Sequence, residues 1–267
     1  MRRHVSSWLS VEVQTPARIV LQLAVARLAG AQVDETMTVT VDGRPLDYRS
    51  VEAPHGGRWD LLDAPVGQLN IEYAATIDGQ AEPPDDGEAD QVRYLRASRY
   101  AESDRLFALA RSEFAGLGKG HDLLAAVSSW VGTRLIYLPG SSRPTDGAVD
   151  TLLAGQGVCR DYAHLVVALL RALDVPARVV AVYAPGLDPM DFHAVAEAFV
   201  DGIWQVVDAT LLAPRSTLVR ISTGLDATDT AFLSSYRGDI MMIDQRVTAV
   251  VEGNLPSDDL NQAVQLG

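Results

Sequence analysis

The single cysteine of this chain is the residue whose type and position most clearly allow chemistry. Cys159 lies in the segment GVCRDYAH, residues 157–164, between a glycine-containing turn and a long apolar run that predicts a helix. A thiol at a helix N-terminus meets the positive end of the helix dipole and unpaired backbone N–H groups, and both favour the thiolate. The position indicates a nucleophile, although a lone cysteine is also commonly a small buried hydrophobic residue.

A catalytic thiol needs a base that takes its proton and a group that orients the base. His164 follows Cys159 by five residues on the same predicted helix, and it therefore points about 140° away from the thiol. His193 lies in a strand-like run that is followed by Asp201-Gly202 and a second strand-like run. Because Asp-Gly between two such runs predicts a hairpin with a two-residue turn, His193 is the candidate base on a β-hairpin.

The register of this hairpin places a carboxylate beside the candidate base. With a two-residue turn, Asp208 lies opposite Val195 and Thr210 lies opposite His193, so His193 and Asp208 project from one face as diagonal neighbours about 7–8 Å apart at the backbone. A three-residue turn would put them on opposite faces. The alternatives are a core histidine with satisfied hydrogen bonds at 193 and a strand-end turn former at 208.

These segments resemble a known family. GVCRDYAHLVVALLRALDVPARVVAVY and then DFHAVAEAFVDGIWQVVDAT are similar in order, spacing and flanking residues to the core of the bacterial transglutaminase-like superfamily, whose members share a papain-like Cys, His, Asp triad. The resemblance implies that Cys159 is the nucleophile, His193 the general base and acid, and Asp208 the orienting carboxylate. YLRASRYAESDRLFALA and YLPGSSRPTDGAVDTLLAG are also family-like. Many members have an aromatic residue where this chain has Val195, which leaves the shape of the acyl pocket open.

Three further residues are candidates for supporting the site. Asp161 lies in the first turn of the predicted helix, where a carboxylate typically complements the helix dipole; this interpretation is preferred to a role in the site. The backbone N–H of Cys159 is a natural oxyanion donor. Gln156 or Tyr137 could supply a second one, by analogy with cysteine proteases, although both are also ordinary surface residues.

The elements that position these residues divide into two parts. Alternating apolar runs with turn signals at Asp42-Gly43 and Asp78-Gly79 predict an antiparallel sandwich of short strands. Residues 80–90 are rich in proline and acidic side chains and predict a solvated interdomain linker. The predicted domains are residues 1–85, an N-terminal β domain that bacterial members of the family often have, and residues 91–267, the catalytic domain.

Beyond the linker the pattern changes to helices and then strands. It predicts helices over 103–114 and 121–133, a buried Cys159 helix that ends near Asp174 before Pro176, a strand over 177–183, and later apolar runs at 216–221 and 239–251. The fold class is therefore α+β: an N-terminal antiparallel β-sandwich followed by a transglutaminase-like, papain-like α+β core. In this core the nucleophile helix packs on an antiparallel sheet.

Composition narrows the possible partners. The 267 residues are 48% hydrophobic and carry a formal net charge of −13, which argues against nucleic acid and anionic membranes as partners. No apolar run has the length of a secretory or membrane-spanning segment, and one cysteine forms no internal disulfide, so we expect a cytoplasmic protein. Since HExxH, GxSxG and P-loop motifs are absent, we expect neither metal nor cofactor.

The predicted function is cysteine-dependent acyl transfer on peptide or carboxamide bonds through a thioester, by a transglutaminase-like protease, amidase or acyltransferase. The substrate class is a protein, a peptide or a small amide. The triad is the same for hydrolysis and transamidation, and we favour hydrolysis because nothing in the sequence indicates a tunnel for an acceptor lysine. The alternative is a non-catalytic transglutaminase-fold module for binding or structure, against which the complete triad argues. The oligomeric state stays open.

Overall fold

The computed structural model describes residues 1–84 and 86–266. The N-terminal part is made mainly of strands, and the first α-helix of the described residues begins at Glu88. These strands are β1 (Arg2–Val13), β2 (Ala17–Leu21), β3 (Ala31–Val41), β4 (Arg44–Pro45), β5 (Arg49–Glu52), β6 (Arg58–Ala64) and β7 (Gly67–Gly79).

The following part alternates helices and strands. Its first elements are α1 (Glu88–Arg93), α2 (Ser103–Glu113), α3 (His121–Arg134), β8 (Ile136–Tyr137), α4 (Ala148–Ala154), β9 (Gln156–Gly157) and α5 (Cys159–Ala172). The remaining ones are β10 (Ala177–Tyr183), β11 (Phe192–Val200), β12 (Ile203–Val207), β13 (Val219–Gly224), α6 (Ala227–Thr230), β14 (Leu233–Tyr236) and β15 (Ile240–Val251). The predicted helices over 103–114 and 121–133 and the strand over 177–183 are confirmed as α2, α3 and β10.

Two antiparallel sheets form the predicted sandwich. Their strand orders are β15-β1-β7-β3-β4 and β14-β2-β6-β5. Alternate residues of each strand point inward, because successive side chains of a strand face opposite sides. The inward residues form one apolar core, which includes Leu9, Val11, Ile19, Leu21, Leu62, Leu69 and Ile71.

The sandwich takes its last two strands from the C-terminal end of the described chain. β15 pairs with β1 from Arg3↔Val251 to Val13↔Ile240, and β14 pairs with β2. The predicted division assigned both strands to the catalytic domain, residues 91–267. This assignment is corrected for β14 and β15, because their backbone groups pair with the N-terminal sheets. Residue 85, where the predicted β domain ends, and residue 267 lie outside the described residues.

The part of the chain that follows the linker contains an α+β layer, as predicted. Its antiparallel sheet has the order β12-β11-β10-β13, and α5 packs on β10 and β11. Every residue of α5 from 161 to 172 is buried. Apolar side chains of α2, α3 and α4 complete this core, and Ala196 and Ala198 leave room for the helix on the sheet face.

The linker is largely exposed to solvent, as its composition predicts, but buried charges tie it at one residue to the sheet β12-β11-β10-β13. Asp86 accepts hydrogen bonds from Arg178 and His55, and its side chain is only 3% exposed. Arg178 and Arg220 both donate to Glu197 on β11. Since an unpaired buried charge is costly, these contacts fix the strand that carries His193 relative to the linker.

Within residues 1–84 and 86–266, no helix is long and apolar enough to cross a bilayer.

Candidate active site

The predicted nucleophile is the first residue of a helix. Val158, in extended conformation, is the N-cap of α5, and Cys159 follows it. The carboxylate of Asp161 accepts the Val158 N–H at 2.9 Å and the Ser142 hydroxyl at 2.9 Å. Asp161 therefore caps the helix start, in agreement with the preferred interpretation of this residue, and it holds the loop at Ser142 against the turn that presents Cys159.

The hairpin has the predicted register. Asp201 and Gly202, with φ of 54° and 82°, form a two-residue turn, and the ladder continues to Ala196↔Val207. Paired strand ends there, so the expected pairing of His193 with Thr210 is not part of the ladder. The two-residue turn nevertheless keeps His193 and Asp208 on the same face of the hairpin, as predicted.

The predicted base and carboxylate are in direct contact. His193 Nε2 donates to Asp208 Oδ2 at 2.8 Å. The other oxygen, Oδ1, accepts the backbone N–H and the hydroxyl of Thr210 at 2.9 and 2.7 Å. Because both carboxylate oxygens are held, Asp208 fixes the imidazole ring and makes Nε2 its protonated nitrogen.

Burial and charge act against each other at this pair. His193 is 2% exposed and Asp208 3% exposed. Burial alone would lower the pKa of His193, but the charge and hydrogen bond of Asp208, together with the adjacent Cys159, raise it to about 10. The same pairing and the Thr210 contacts hold the pKa of Asp208 below its usual range despite burial. The site thus favours the imidazolium at neutral pH.

The second ring nitrogen is left for Cys159. His193 Nδ1 is buried and has no hydrogen-bond partner of ordinary geometry in the described part of the chain. The thiol is close enough to help raise the pKa of His193, and its Sγ lies 4.0 Å from the Phe192 carbonyl oxygen. Cys159, His193 and Asp208 thus lie together in the order that proton transfer requires.

Of the two candidates for a second oxyanion donor, the structure brings Tyr137 to the nucleophile. Burial and the neighbouring Cys159 raise the pKa of the Tyr137 hydroxyl, which lies beside both the thiol and the backbone N–H of Cys159. Gln156 is on β9, which runs parallel to β8. The Gln156 side chain makes no hydrogen bond within residues 1–84 and 86–266, and neither Gln156 nor Tyr137 is among the residues that line the cleft.

Cys159 and His193 are among the residues that line a cleft of about 600 Å³. Asp191 lines this cleft, and its carboxylate accepts a hydrogen bond from Gln245 of β15 at 2.9 Å. Sequence reasoning missed both residues and the segment 230–236 that forms another wall. Only Asp191, two residues before His193, carried a sequence signal. Val195 packs in the core among Val180 and Val206 and lies outside the cleft lining, so this departure from the family pattern does not shape the cleft.

The other histidine of α5 is structural. His164 is fully buried, and burial lowers its pKa to about 3. Its Nε2 accepts the Ala227 N–H at 3.1 Å, and its ring stacks on Tyr100. His164 is therefore a neutral hydrogen-bond acceptor and does not face Cys159, as its position on the helix predicts.

One group of side chains has the composition of a metal site. Potential ligand atoms of His55, Asp86 and Asp90 lie within 4.8 Å of one another. However, His55 Nδ1 is hydrogen-bonded to Asp86 at 2.7 Å and Nε2 to the Tyr94 hydroxyl at 2.7 Å. Both ring nitrogens have protein partners, so the group is satisfied without an ion.

Comparison with known proteins finds relatives over the whole described site. Residues 108–209 match the family model of the Transglutaminase-like superfamily. The crystal structure of a "Putative Cysteine Protease" from Cytophaga hutchinsonii is 31% identical, with a TM-score of 0.89, and the alignment covers 98% of this chain and 95% of that one. "Uncharacterized protein ML0607" from Mycobacterium leprae (strain TN) is 28% identical over 228 residues, 76% of this chain and 79% of that protein.

Proposed function

Because the chain belongs to the transglutaminase-like superfamily, we propose that it is a cysteine-dependent acyl-transfer enzyme acting on peptide or carboxamide bonds. One observation carries the proposal. A thiol at a helix N-terminus lies beside a buried imidazole that a buried carboxylate holds at 2.8 Å, and Cys159 and His193 are among the residues that line a cleft. A module used only for binding would have no need of this costly buried pair.

The first half-reaction forms a thioester. The Cys159 thiolate attacks the substrate carbonyl carbon, and the oxyanion accepts hydrogen bonds from the Cys159 N–H and the Tyr137 hydroxyl. The imidazolium of His193 gives its Nδ1 proton to the departing nitrogen, and the C–N bond breaks, which releases an amine or ammonia. Asp208 stays ionised and stabilises the imidazolium throughout.

The second half-reaction regenerates the thiolate. His193 Nδ1 takes a proton from water or from a primary amine, which attacks the thioester carbonyl, and the C–S bond then breaks. Water gives a carboxylic acid and an amine gives a new amide. We propose hydrolysis as the main outcome, that is, protease or amidase activity, since Cys159 is partly exposed to solvent.

Alkylation of the single cysteine tests thiol activation without a known substrate. We expect iodoacetamide to alkylate Cys159 of the native protein at pH 6 nearly as fast as at pH 8, because the His193 imidazolium persists up to about pH 10 and favours the thiolate beside it. An ordinary thiol, which titrates at about 8.5, would react more than tenfold more slowly at pH 6 than at pH 8. Intact mass spectrometry gives the rate at each pH.

The same chain unfolded in urea is the matched control, since it has one thiol and no site. If native and unfolded chains show the same pH profile, or if the native thiol is inert at both pH values, Cys159 is a structural residue and the chain is a non-catalytic member of the family.

A further inference from the structure

One wall of the cleft is an edge strand of the β-sandwich. β14 is the first strand of the sheet β14-β2-β6-β5, and in the described part of the chain it pairs with β2 only. An edge strand presents backbone N–H and C=O groups without partners, which is a template for another extended chain.

The register between β14 and β2 determines which backbone groups of β14 face the open edge. The Gln22 N–H donates to the Phe232 carbonyl at 2.9 Å, and Leu233 lies opposite Leu21. In an antiparallel pair, opposed residues alternate between bonded and non-bonded pairs. Phe232 is in a bonded pair, so Leu233 and Ser235 direct their N–H and C=O groups away from β2.

The cleft runs along this open edge. Its lining includes Cys159 and His193 on one side and five consecutive residues, 230–234, on the other. Successive side chains of an extended segment face opposite sides, so a cavity lined by consecutive residues contacts the backbone edge. The nucleophile therefore shares one cavity with the outward backbone groups of Leu233, and Ser235 lies further along the same strand edge, outside the residues that line the cavity. The cavity volume of about 600 Å³ is within the usual range for bound ligands.

Apolar side chains stand next to the edge. The rings of Phe192 and Phe232 stack with centroids 4.7 Å apart, and Ala181 and Ile221 line the same space. Arg160 is a cation in the cleft lining, but its guanidinium is bound to Asp161, the Ser142 hydroxyl and a backbone carbonyl. This wall of the cleft therefore fits a peptide backbone with an apolar side chain better than it fits an anionic amide or a small polar amide.

We propose that the substrate is an extended polypeptide segment that adds to β14 as a further strand and presents its scissile carbonyl to Cys159. Backbone hydrogen bonds to Leu233 and Ser235 hold the segment, and an apolar substrate side chain packs on Phe192 and Phe232. The inference deepens the proposed function and rests on it, because it selects a peptide over a small amide as the acyl donor.

Cysteine-directed peptides of two lengths test this inference. The probes are the chloromethyl ketones of N-acetyl-phenylalanine and of an N-acetylated tetrapeptide ending in phenylalanine. We expect the tetrapeptide probe to alkylate Cys159 at least about tenfold faster, which corresponds to about 1.4 kcal/mol and to one or two net backbone hydrogen bonds. Intact mass spectrometry gives both second-order rate constants.

Ser235→Pro removes one outward N–H, and proline is tolerated on edge strands where the N–H faces away from the ladder. We expect this variant to lose most of the length advantage, while Ser235→Ala, which keeps the N–H, retains it. The rate with each peptide probe is divided by the iodoacetamide rate of the same variant, so that a change in thiol reactivity is separated from the effect of peptide length. A length advantage that persists in Ser235→Pro, or no length advantage in the wild type, overturns the inference.

A measurement on the wild type alone covers the case in which Ser235→Pro does not fold. Methylating each backbone nitrogen of the tetrapeptide probe in turn should slow alkylation at alternate positions, because a strand pairs through every second residue. A uniform or absent effect overturns strand addition. If iodoacetamide itself finds no activated thiol, the proposed function fails; if only the peptide effects are missing, the strand proposal alone fails.

Discussion

Cys159→Ala is expected to reduce hydrolysis of peptides and amides to the background rate, a loss of roughly 10⁴–10⁶-fold. No second thiol can accept the acyl group, since the sequence contains one cysteine. The fold should be unchanged, because the residue is only partly buried and alanine suits a helix. The measurement is a library of peptides and amides profiled with the wild type beside the variant.

Cys159→Ser is the matched control, because serine keeps the shape of the cysteine side chain and its hydroxyl is a weaker nucleophile. Undiminished turnover by Cys159→Ala on a substrate of the wild type would locate the nucleophile elsewhere and remove the basis of the proposed mechanism.

Asp208→Asn is expected to lower turnover by about 10³–10⁴-fold while the thiol stays reactive. The carboxylate breaks no bond; it orients His193 through the 2.8 Å contact and is the main group that raises the pKa of His193 above its ordinary value. Without this negative charge, burial lowers the pKa of His193, so the imidazolium is lost at a lower pH and supports the thiolate less. Alkylation by iodoacetamide should therefore require a higher pH than in the wild type.

Thr210→Val is the graded control for this variant. It removes the hydroxyl that donates to Asp208 at 2.7 Å and leaves the charge in place. The pH at which Cys159 is alkylated should therefore shift in the same direction as in Asp208→Asn, by a smaller amount. If the Asp208→Asn alkylation profile overlays that of the wild type and turnover is unchanged, Asp208 is a strand-end structural residue and another group orients His193.

The relation between His193 and Asp208 could be predicted because it is local. A two-residue Asp-Gly turn fixes the parity of the hairpin, and parity decides which side chains share a face. The helix start at Cys159 was also predictable, since an apolar helical run follows a glycine-containing turn. Local chain geometry thus accounts for most of the candidate triad.

The closure of the sandwich by β14 and β15 could not be predicted in the same way. The apolar run at 239–251 indicates a strand, but no local pattern names its partner, and β15 pairs with β1 more than 200 residues earlier in the chain. Pairing at such separation is decided by the assembled sheets. For this reason Gln245, Leu233 and the other cleft residues of these strands had no sequence signal.

The most direct test of the proposed mechanism is to find the acyl group covalently bound to the protein. A peptide ester or amide that the wild type turns over is mixed with the protein and quenched in acid within one turnover, and the protein is digested and analysed by mass spectrometry. The proposed mechanism predicts a hydroxylamine-sensitive adduct on Cys159 that has the mass of the acyl group. This adduct should be absent from Cys159→Ala. Turnover with no adduct on Cys159, or an adduct on another residue, would contradict it.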